Sequence, residues 1–224
     1  WALDWQFDPW QNFDRVASIA WQIYHPSYRA DPYRTGPTGD YSRMNNGVFY
    51  DSPSVSGWSL HVSANGERST VPDANGTIES KRGLAAGVNF ERSGLNFLVS
   101  AERNSVNDKT YFLGLAYGPG RTRVMASANL TVLTAASQAF LGESHRRRSS
   151  AMLAATHQVG AATLKFAIGR DFQGYGQSGA TNYVSAGASY VLSPRTKLYV
   201  GIGHGRPANE GSRTNVGVGL NHSF

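Results

Sequence analysis

The stretch TNVGVGLNHSF, residues 214–224, decides the class of fold because its side chains alternate between two kinds. The positions taken alternately from Val216 to Phe224 are apolar apart from one histidine, whereas those between them are glycine, asparagine and serine. Successive side chains of a strand point to opposite faces of a sheet, so the pattern predicts one apolar face and one small, polar face. A soluble sheet turns its apolar face inward, whereas a membrane barrel turns it toward lipid.

The composition favours a sheet protein with many tight turns. The 224 residues include 25 glycines and 11 tyrosines, only 16% are charged, and the formal net charge is +6. There are no cysteines, which excludes disulfides, zinc–thiolate sites and cysteine nucleophiles from this sequence. No apolar run approaches the roughly 18 residues of a spanning helix. The histidines lack the spacing of a metal site, and we expect neither a metal nor a cofactor.

The sequence divides into eleven strand-like segments joined by short and long connections in alternation. Their ranges are 43–51, 58–64, 81–90, 95–102, 109–117, 121–132, 149–158, 162–171, 180–192, 196–206 and 213–224. An up-and-down antiparallel sheet with this alternation has every short turn at one edge and every long loop at the other. Outer-membrane barrels show this asymmetry, with short periplasmic turns and longer outside loops.

The two faces of these segments differ as they do at 214–224, although the segment 149–158 fits either phase. Large aromatic residues also cluster beside the short turns. These residues are Tyr50, Trp58, Phe90, Tyr117, Tyr190 and Phe224. Aromatic rings at one height on a lipid-facing surface form the girdle that marks a membrane–water boundary. We therefore predict an all-β, transmembrane, antiparallel up-and-down β-barrel whose apolar face meets lipid.

Three stretches of the sequence resemble a known family. They are YSRMNNGVFYDSPSVSGWSLHVSANGE (41–67), YVLSPRTKLYVGIGHG (190–205) and NVGVGLNHSF (215–224). Together they resemble the C-terminal part of a Gram-negative general porin of the trimeric, sixteen-stranded, beta-proteobacterial type. The resemblance implies an outer-membrane location, a homotrimer, and an assembly signal made by Phe224 with Leu220 and Val218.

The resemblance also assigns the first 42 residues. WALDWQFDPWQNFD (1–14) is similar to the family's loop that folds into the lumen and narrows it. It implies a constriction-loop region at 1–42 and barrel strands at 43–224, which would be the sixth to sixteenth strands of the family. Eleven antiparallel strands cannot close by antiparallel pairing, and unpaired edges are costly in lipid. We therefore expect an excerpt of a longer chain, with unusual closure as the alternative.

Charged residues on the predicted lumen face suggest a selectivity device. The resemblance assigns the constriction to Asp4, Asp8 and Asp14 on the inward loop and Arg43 on the wall. The predicted lumen-facing cations are Arg121, Arg123, Lys165 and Lys197. Opposed charges in a narrow pore set up a transverse field, and arginine and lysine favour anions. The alternative is a set of ordinary charges on a wetted face, with Arg121 and Arg123 only coating the periplasmic rim.

The basic run His145–Arg148 lies in a predicted outside loop. Arginine binds phosphate in bidentate fashion, so the run is a candidate clamp for lipopolysaccharide phosphates. A solvated loop is the alternative, and no nucleic-acid-binding module accompanies the run.

We therefore expect a passive channel for small hydrophilic solutes and ions, with outer-membrane lipid around it and a weak anion preference. We expect no enzymatic activity. The alternatives are a barrel hydrolase, marked by a serine and a histidine converging on one outward strand face, and a plugged structural or adhesive barrel.

Overall fold

The computed structural model describes residues 6–10, 17, 47–68, 82–104, 107–174 and 179–224. These residues form eleven strands and one helix. The elements are β1 (Gly47–Asp51), β2 (Trp58–Arg68), β3 (Arg82–Arg92), β4 (Leu95–Arg103), β5 (Lys109–Tyr117), β6 (Thr122–Val132), α1 (Ala135–Leu141), β7 (Arg147–Val159), β8 (Ala162–Asp171), β9 (Thr181–Ser193), β10 (Thr196–Pro207) and β11 (Arg213–His222).

The strands form one sheet in which each strand pairs with its neighbours in sequence. The order runs from β1 to β11 without a crossover, and every pairing is antiparallel. The predicted up-and-down topology is confirmed. Within the described part of the chain β1 and β11 do not pair with each other, so the sheet is open between them.

The connections differ at the two edges of the sheet. At one edge they are 52–57, 93–94, 118–121, 160–161 and 194–195, and at the other 69–81, 104–108, 133–146, 172–180 and 208–212. The connections at the first edge are shorter than all those at the second, except that 52–57 is longer than 104–108 and 208–212. At 93–94 both residues have positive φ, 52° for Ser93 and 79° for Gly94, which is the type I′ geometry that suits the twist of a two-residue hairpin.

The apolar phase of the strands is exposed, and on central strands such as β5, β6 and β7 the opposite phase is mostly buried. On β5, Leu113 and Leu115 are 48% and 46% exposed, whereas Phe112 and Ala116 are 5% and 1% exposed. This inverts the arrangement of a soluble sheet and agrees with an apolar face directed at lipid. The segment 149–158, which fits either phase in the sequence, has Leu153 on the outward face, because Leu153 pairs with the outward Ala126 and Ile168.

The sheet curls around the segment 6–10. The Gln6 side chain hydrogen-bonds to Asn89 on β3 and Asn96 on β4, at 3.3 and 2.8 Å. The Trp10 indole nitrogen lies 3.2 Å from the point where a Cβ at position 187 on β9 would stand. Five consecutive residues thus contact strands as far apart in the sheet as β3 and β9, and Phe7 between them contacts Phe112 on β5. The segment therefore crosses the inside of a curved wall.

Helix α1 was not predicted by the sequence, which indicates only a long loop there. Thr134 caps its N-terminus, with Oγ1 accepting from the Ser137 backbone N–H at 3.1 Å. Gly142 ends it in the left-handed region at φ 65°. Among the residues that the structure describes, no helix is both long and apolar enough to cross a bilayer.

Candidate functional site

The inner face of the sheet is polar or small along most of its length. On β6 the inward side chains Ser127, Asn129 and Thr131 are 6%, 6% and 1% exposed. Ser150 on β7 donates from Oγ to Asn129 Oδ1 at 2.8 Å. Cross-strand hydrogen bonds of this kind suit the lining of a barrel whose interior is polar.

An apolar contact fixes the segment 6–10 on this inner face. The Phe7 side chain is fully buried, and its ring centroid lies 5.8 Å from that of Phe112 on β5. Its ring occupies the space in which a Cβ of residue 114 would stand. Gly114 is therefore required for this approach, since any larger residue collides with Phe7.

Asp8 is 1% exposed, and its Oδ1 accepts a hydrogen bond from the Trp10 backbone N–H at 2.7 Å. A short polar side chain bonded to a backbone N–H two residues later stabilises a tight turn. The structure thus brings one predicted constriction carboxylate to the inner face, packed inside the segment. Asp4, Asp14 and Arg43 lie outside the described residues.

Three of the predicted wall cations lie on the inner phase of their strands, toward the short-turn edge. Arg123 on β6 is opposite Thr156 on β7, which is opposite Lys165 on β8. Lys197 lies on the inner phase of β10, opposite Asn221 on β11. Arg121 lies in the turn 118–121 before β6 and is exposed.

The basic run His145–Arg148 is divided between the two faces, which corrects its prediction as a single loop. Strand β7 begins at Arg147, so Arg147 points outward and is exposed while Arg148 points inward. Arg148 is buried between two carboxylates, with Nη1 3.2 Å from Glu143 Oε1 and Nη2 3.1 Å from Asp171 Oδ2. Its charge is neutralised inside the wall. Arg148 therefore cannot belong to an outside phosphate clamp.

A serine, a histidine and an aspartate form a hydrogen-bonded line on the inner face at the short-turn edge. Ser59 Oγ lies 3.0 Å from His61 Nε2, and His61 Nδ1 lies 2.6 Å from Asp51 Oδ1. The sequence alone does not reveal this line, because Asp51 reaches His61 only through the pairing of β1 with β2. Within the described residues, no cluster of three or more histidines and carboxylates is arranged to hold a metal ion.

On the long-loop side, Asp108 joins the β4–β5 loop to α1. Its carboxylate accepts from the Thr134 backbone N–H at 2.6 Å, from Ser137 Oγ at 2.9 Å and from Asn104 Nδ2 at 3.0 Å. Burial raises the pKa of Asp108, and these hydrogen bonds oppose the rise only in part. Asp108 thus joins the connections 104–108 and 133–146 at the long-loop edge of the sheet.

The predicted girdle aromatics are exposed at the outward face apart from Phe90, which is half-buried, and the predicted assembly residues are exposed as well. Val218 and Leu220 on β11 are 82% and 58% exposed, and Phe224 follows that strand with its ring fully exposed. Trp58 packs against Phe90 across β2 and β3, with ring centroids 4.8 Å apart and ring planes tilted by 53°.

The comparisons with known proteins agree with this geometry. The family model described as "Gram-negative porin" matches residues 4–210. No curated protein matches the chain.

Solved structures with the same fold include two porins and one other outer-membrane protein. An anion-selective porin from Comamonas acidovorans is 17% identical with a TM-score of 0.74, over 100% of this chain and 70% of its own. A porin refined at 1.8 Å is 16% identical with a TM-score of 0.57, over 77% and 60%. The loop L8 deletion mutant of OmpT, an outer membrane protein of Vibrio cholerae, is 13% identical with a TM-score of 0.61, over 85% and 65%.

The exposed apolar face, the curled sheet around an inward segment and the family match point to one conclusion. The chain belongs to the Gram-negative porin family and lies in the outer membrane, as part of a β-barrel channel.

Proposed function

We propose that this channel passes small hydrophilic solutes and ions by passive diffusion, with a weak preference for anions. The observation that carries the proposal is the charge of the inner face toward the short-turn edge, where Arg123, Lys165 and Lys197 all stand on the inward phase. Farther along the wall, Arg148 stands between two carboxylates, Glu143 and Asp171, so this group has a formal charge of about −1 and adds nothing to the positive field.

The physical basis is the narrowness of a pore with low-dielectric walls. Charges in such a passage act on ions more strongly than they do in bulk water. Lysine and arginine side chains around a pore favour anions. The anion-selective porin from Comamonas acidovorans shares this fold, which supports the same sign of preference here.

The test is the reversal potential across planar bilayers under a salt gradient. The wild-type potential should have the anion-selective sign, and the double variant Arg123→Gln/Lys165→Gln should shift it toward cations. The matched control is Arg206→Gln, which removes an exposed cation from the outward phase of β10 and should leave the potential unchanged. A cation-selective wild type contradicts the proposed preference.

We also propose that the segment 6–10 narrows the pore. Asp8 on this segment and Arg43 on the wall would then be the opposed charges of a transverse field across the narrowing. Asp8→Asn and Arg43→Ala should then shift the reversal potential in opposite directions. If neither variant moves it, this assignment of the constriction is wrong. The proposed assembly is a homotrimer, which the mass of the detergent-solubilised complex tests directly.

A second candidate function, a hydrolase, is favoured by the Ser59–His61–Asp51 line, which lies on the inner face of the sheet and not on the outward face expected from the sequence. A serine hydroxyl bonded to a histidine that an aspartate orients is the arrangement of a nucleophile, a general base and its positioning group. Within the barrel it would hydrolyse esters of small solutes. Turnover of p-nitrophenyl acetate that Ser59→Ala abolishes would support the hydrolase, and turnover equal in both proteins would exclude this serine as its nucleophile.

A third candidate is a plugged structural or adhesive barrel, because the segment 6–10 occupies part of the inner face. Planar-bilayer recordings separate the candidates. Steady ohmic steps support the channel, whereas reconstituted protein that gives no conductance supports the plug.

A further inference from the structure

A row of cations borders the outward face of the sheet at its long-loop edge. Arg103 on β4 is opposite Lys109 on β5, Lys109 is opposite Val132 on β6, and Val132 is opposite Arg147 on β7. Neighbouring strands are about 4.8 Å apart, so three cations lie within about 15 Å. Like charges directly opposite each other destabilise a sheet. No carboxylate among the described residues forms an ion pair with any of the three, so an external anion would stabilise the row.

Two further features place room for an anion beside this row. His145, Arg146 and Arg147 line a cavity of about 400 Å³ together with Val132. Arg146 Nε donates to the Leu133 carbonyl oxygen at 3.2 Å, which holds its guanidinium at this rim. Arg103 Nη2 donates to the Arg82 carbonyl oxygen at 3.2 Å, which holds this guanidinium at the same edge.

An apolar groove begins directly below the cations on the same face. Its volume is about 590 Å³. The row adjacent to Arg103 and Lys109 consists of Ala86, Ala101, Tyr111 and Leu130, which are paired across β3 to β6. Small alanines between larger side chains leave the depression, and its lining is almost entirely apolar. The groove therefore continues from the cationic rim into the part of the wall that faces hydrocarbon.

We propose that the cationic rim and this groove together bind a phosphorylated lipid of the outer leaflet. The phosphate would lie among Arg103, Lys109 and Arg147, and one acyl chain would occupy the groove. Arginine and lysine near a membrane surface attract anionic lipid, and arginine pairs with phosphate through two parallel hydrogen bonds. A free anion would use the rim alone, whereas a lipid uses both halves. The inference rests on the proposed channel in one respect, namely that the long-loop edge of the sheet lies at the outer leaflet.

The test measures lipid binding to detergent-purified protein by native mass spectrometry. The probes are dioleoyl phosphatidic acid, dihexanoyl phosphatidic acid and inorganic phosphate. Arg103→Gln/Lys109→Gln should weaken binding of the long-chain lipid roughly 30-fold, since two surface cations are lost. The matched control Arg123→Gln/Lys165→Gln removes two cations from the inner face and should bind as wild type.

A second variant tests the groove separately. Ala101→Phe fills it without changing charge, and should weaken binding of the dioleoyl lipid while leaving that of the dihexanoyl lipid unchanged. Wild-type affinity in the Arg103→Gln/Lys109→Gln protein would overturn the inference, and so would inorganic phosphate that competes as well as the long-chain lipid. The proteins with Arg103→Gln/Lys109→Gln and with Ala101→Phe should both retain the wild-type single-channel conductance. Loss of lipid binding with normal conductance therefore bears on this site and leaves the channel proposal intact.

Discussion

Replacement of Phe7 by alanine should release the inward segment from the wall. Phe7 is fully buried against Phe112 and Gly114, and truncation of a buried phenylalanine to alanine costs about 3–5 kcal/mol. Because about 1.4 kcal/mol corresponds to a factor of ten, the ratio of docked to undocked segment should fall by a hundredfold to several thousandfold, roughly. Single-channel recordings should then show a larger mean conductance and more frequent fluctuations.

The same contact can be disturbed from the opposite side. Gly114→Ala places a Cβ in the space of the Phe7 ring and should also displace the segment. The control is Gly120→Ala in the turn 118–121, where a Cβ has no neighbour within 4 Å. In the Phe7→Ala background Gly114→Ala should have no further effect, since the colliding ring is gone. Wild-type conductance and noise in both single variants would refute the docking of this segment as the cause of narrowing.

Three other predictions concern the wall and its loops. Because the pKa of Asp108 is raised in the folded protein, ionisation of this carboxyl opposes folding. The stability of wild type relative to Asp108→Asn should therefore rise as the pH falls from the raised pKa toward the usual carboxyl range. Thermal unfolding of both proteins at pH 7 and pH 4 checks this, and a stability difference that is equal at the two pH values contradicts it. Arg148→Met leaves two buried carboxylates without their cation, so the free energy of unfolding in urea should fall by about 3–5 kcal/mol. Arg148→Lys keeps the charge and should lose less stability, and equal losses in the two variants would argue against the ion pairs. Leu113→Arg should cost about 2–4 kcal/mol in lipid although Leu113 is exposed, and an unchanged unfolding free energy in vesicles would argue against a lipid-facing position.

The strands and their faces were predictable from the sequence because the signal is local. A period of two reports which side chains share a face, and the lengths of the connections report the edge on which they lie. The pairing of β10 with β11 agrees with this, because it sets Val216, Val218 and Leu220 opposite apolar residues of β10. The exposed fractions of these side chains agree with a reversed, lipid-facing surface.

What the sequence did not predict depends on contacts between distant residues or on exact element ends. The Phe7–Gly114 contact joins residues 107 positions apart. The Ser59–His61–Asp51 line requires the register of β1 against β2. Strand β7 begins at Arg147, two residues before the predicted start, and this shift alone separates Arg148 from the outside surface. Helix α1 is seven residues long and is marked mainly by its caps, a weak signal within a loop.

The proposed channel depends on the orientation of the sheet, with its apolar face on lipid and its polar face on water. The chain has no cysteine, so each introduced thiol is a single reporter. Cysteines placed one at a time along β10, from Lys197 to Gly203, can be exposed in lipid vesicles to a small, charged thiol reagent. If the apolar face meets lipid, cysteines at positions 197 and 203 should react rapidly and those at positions 198, 200 and 202 should be protected. Uniform reaction or the opposite alternation would contradict this orientation.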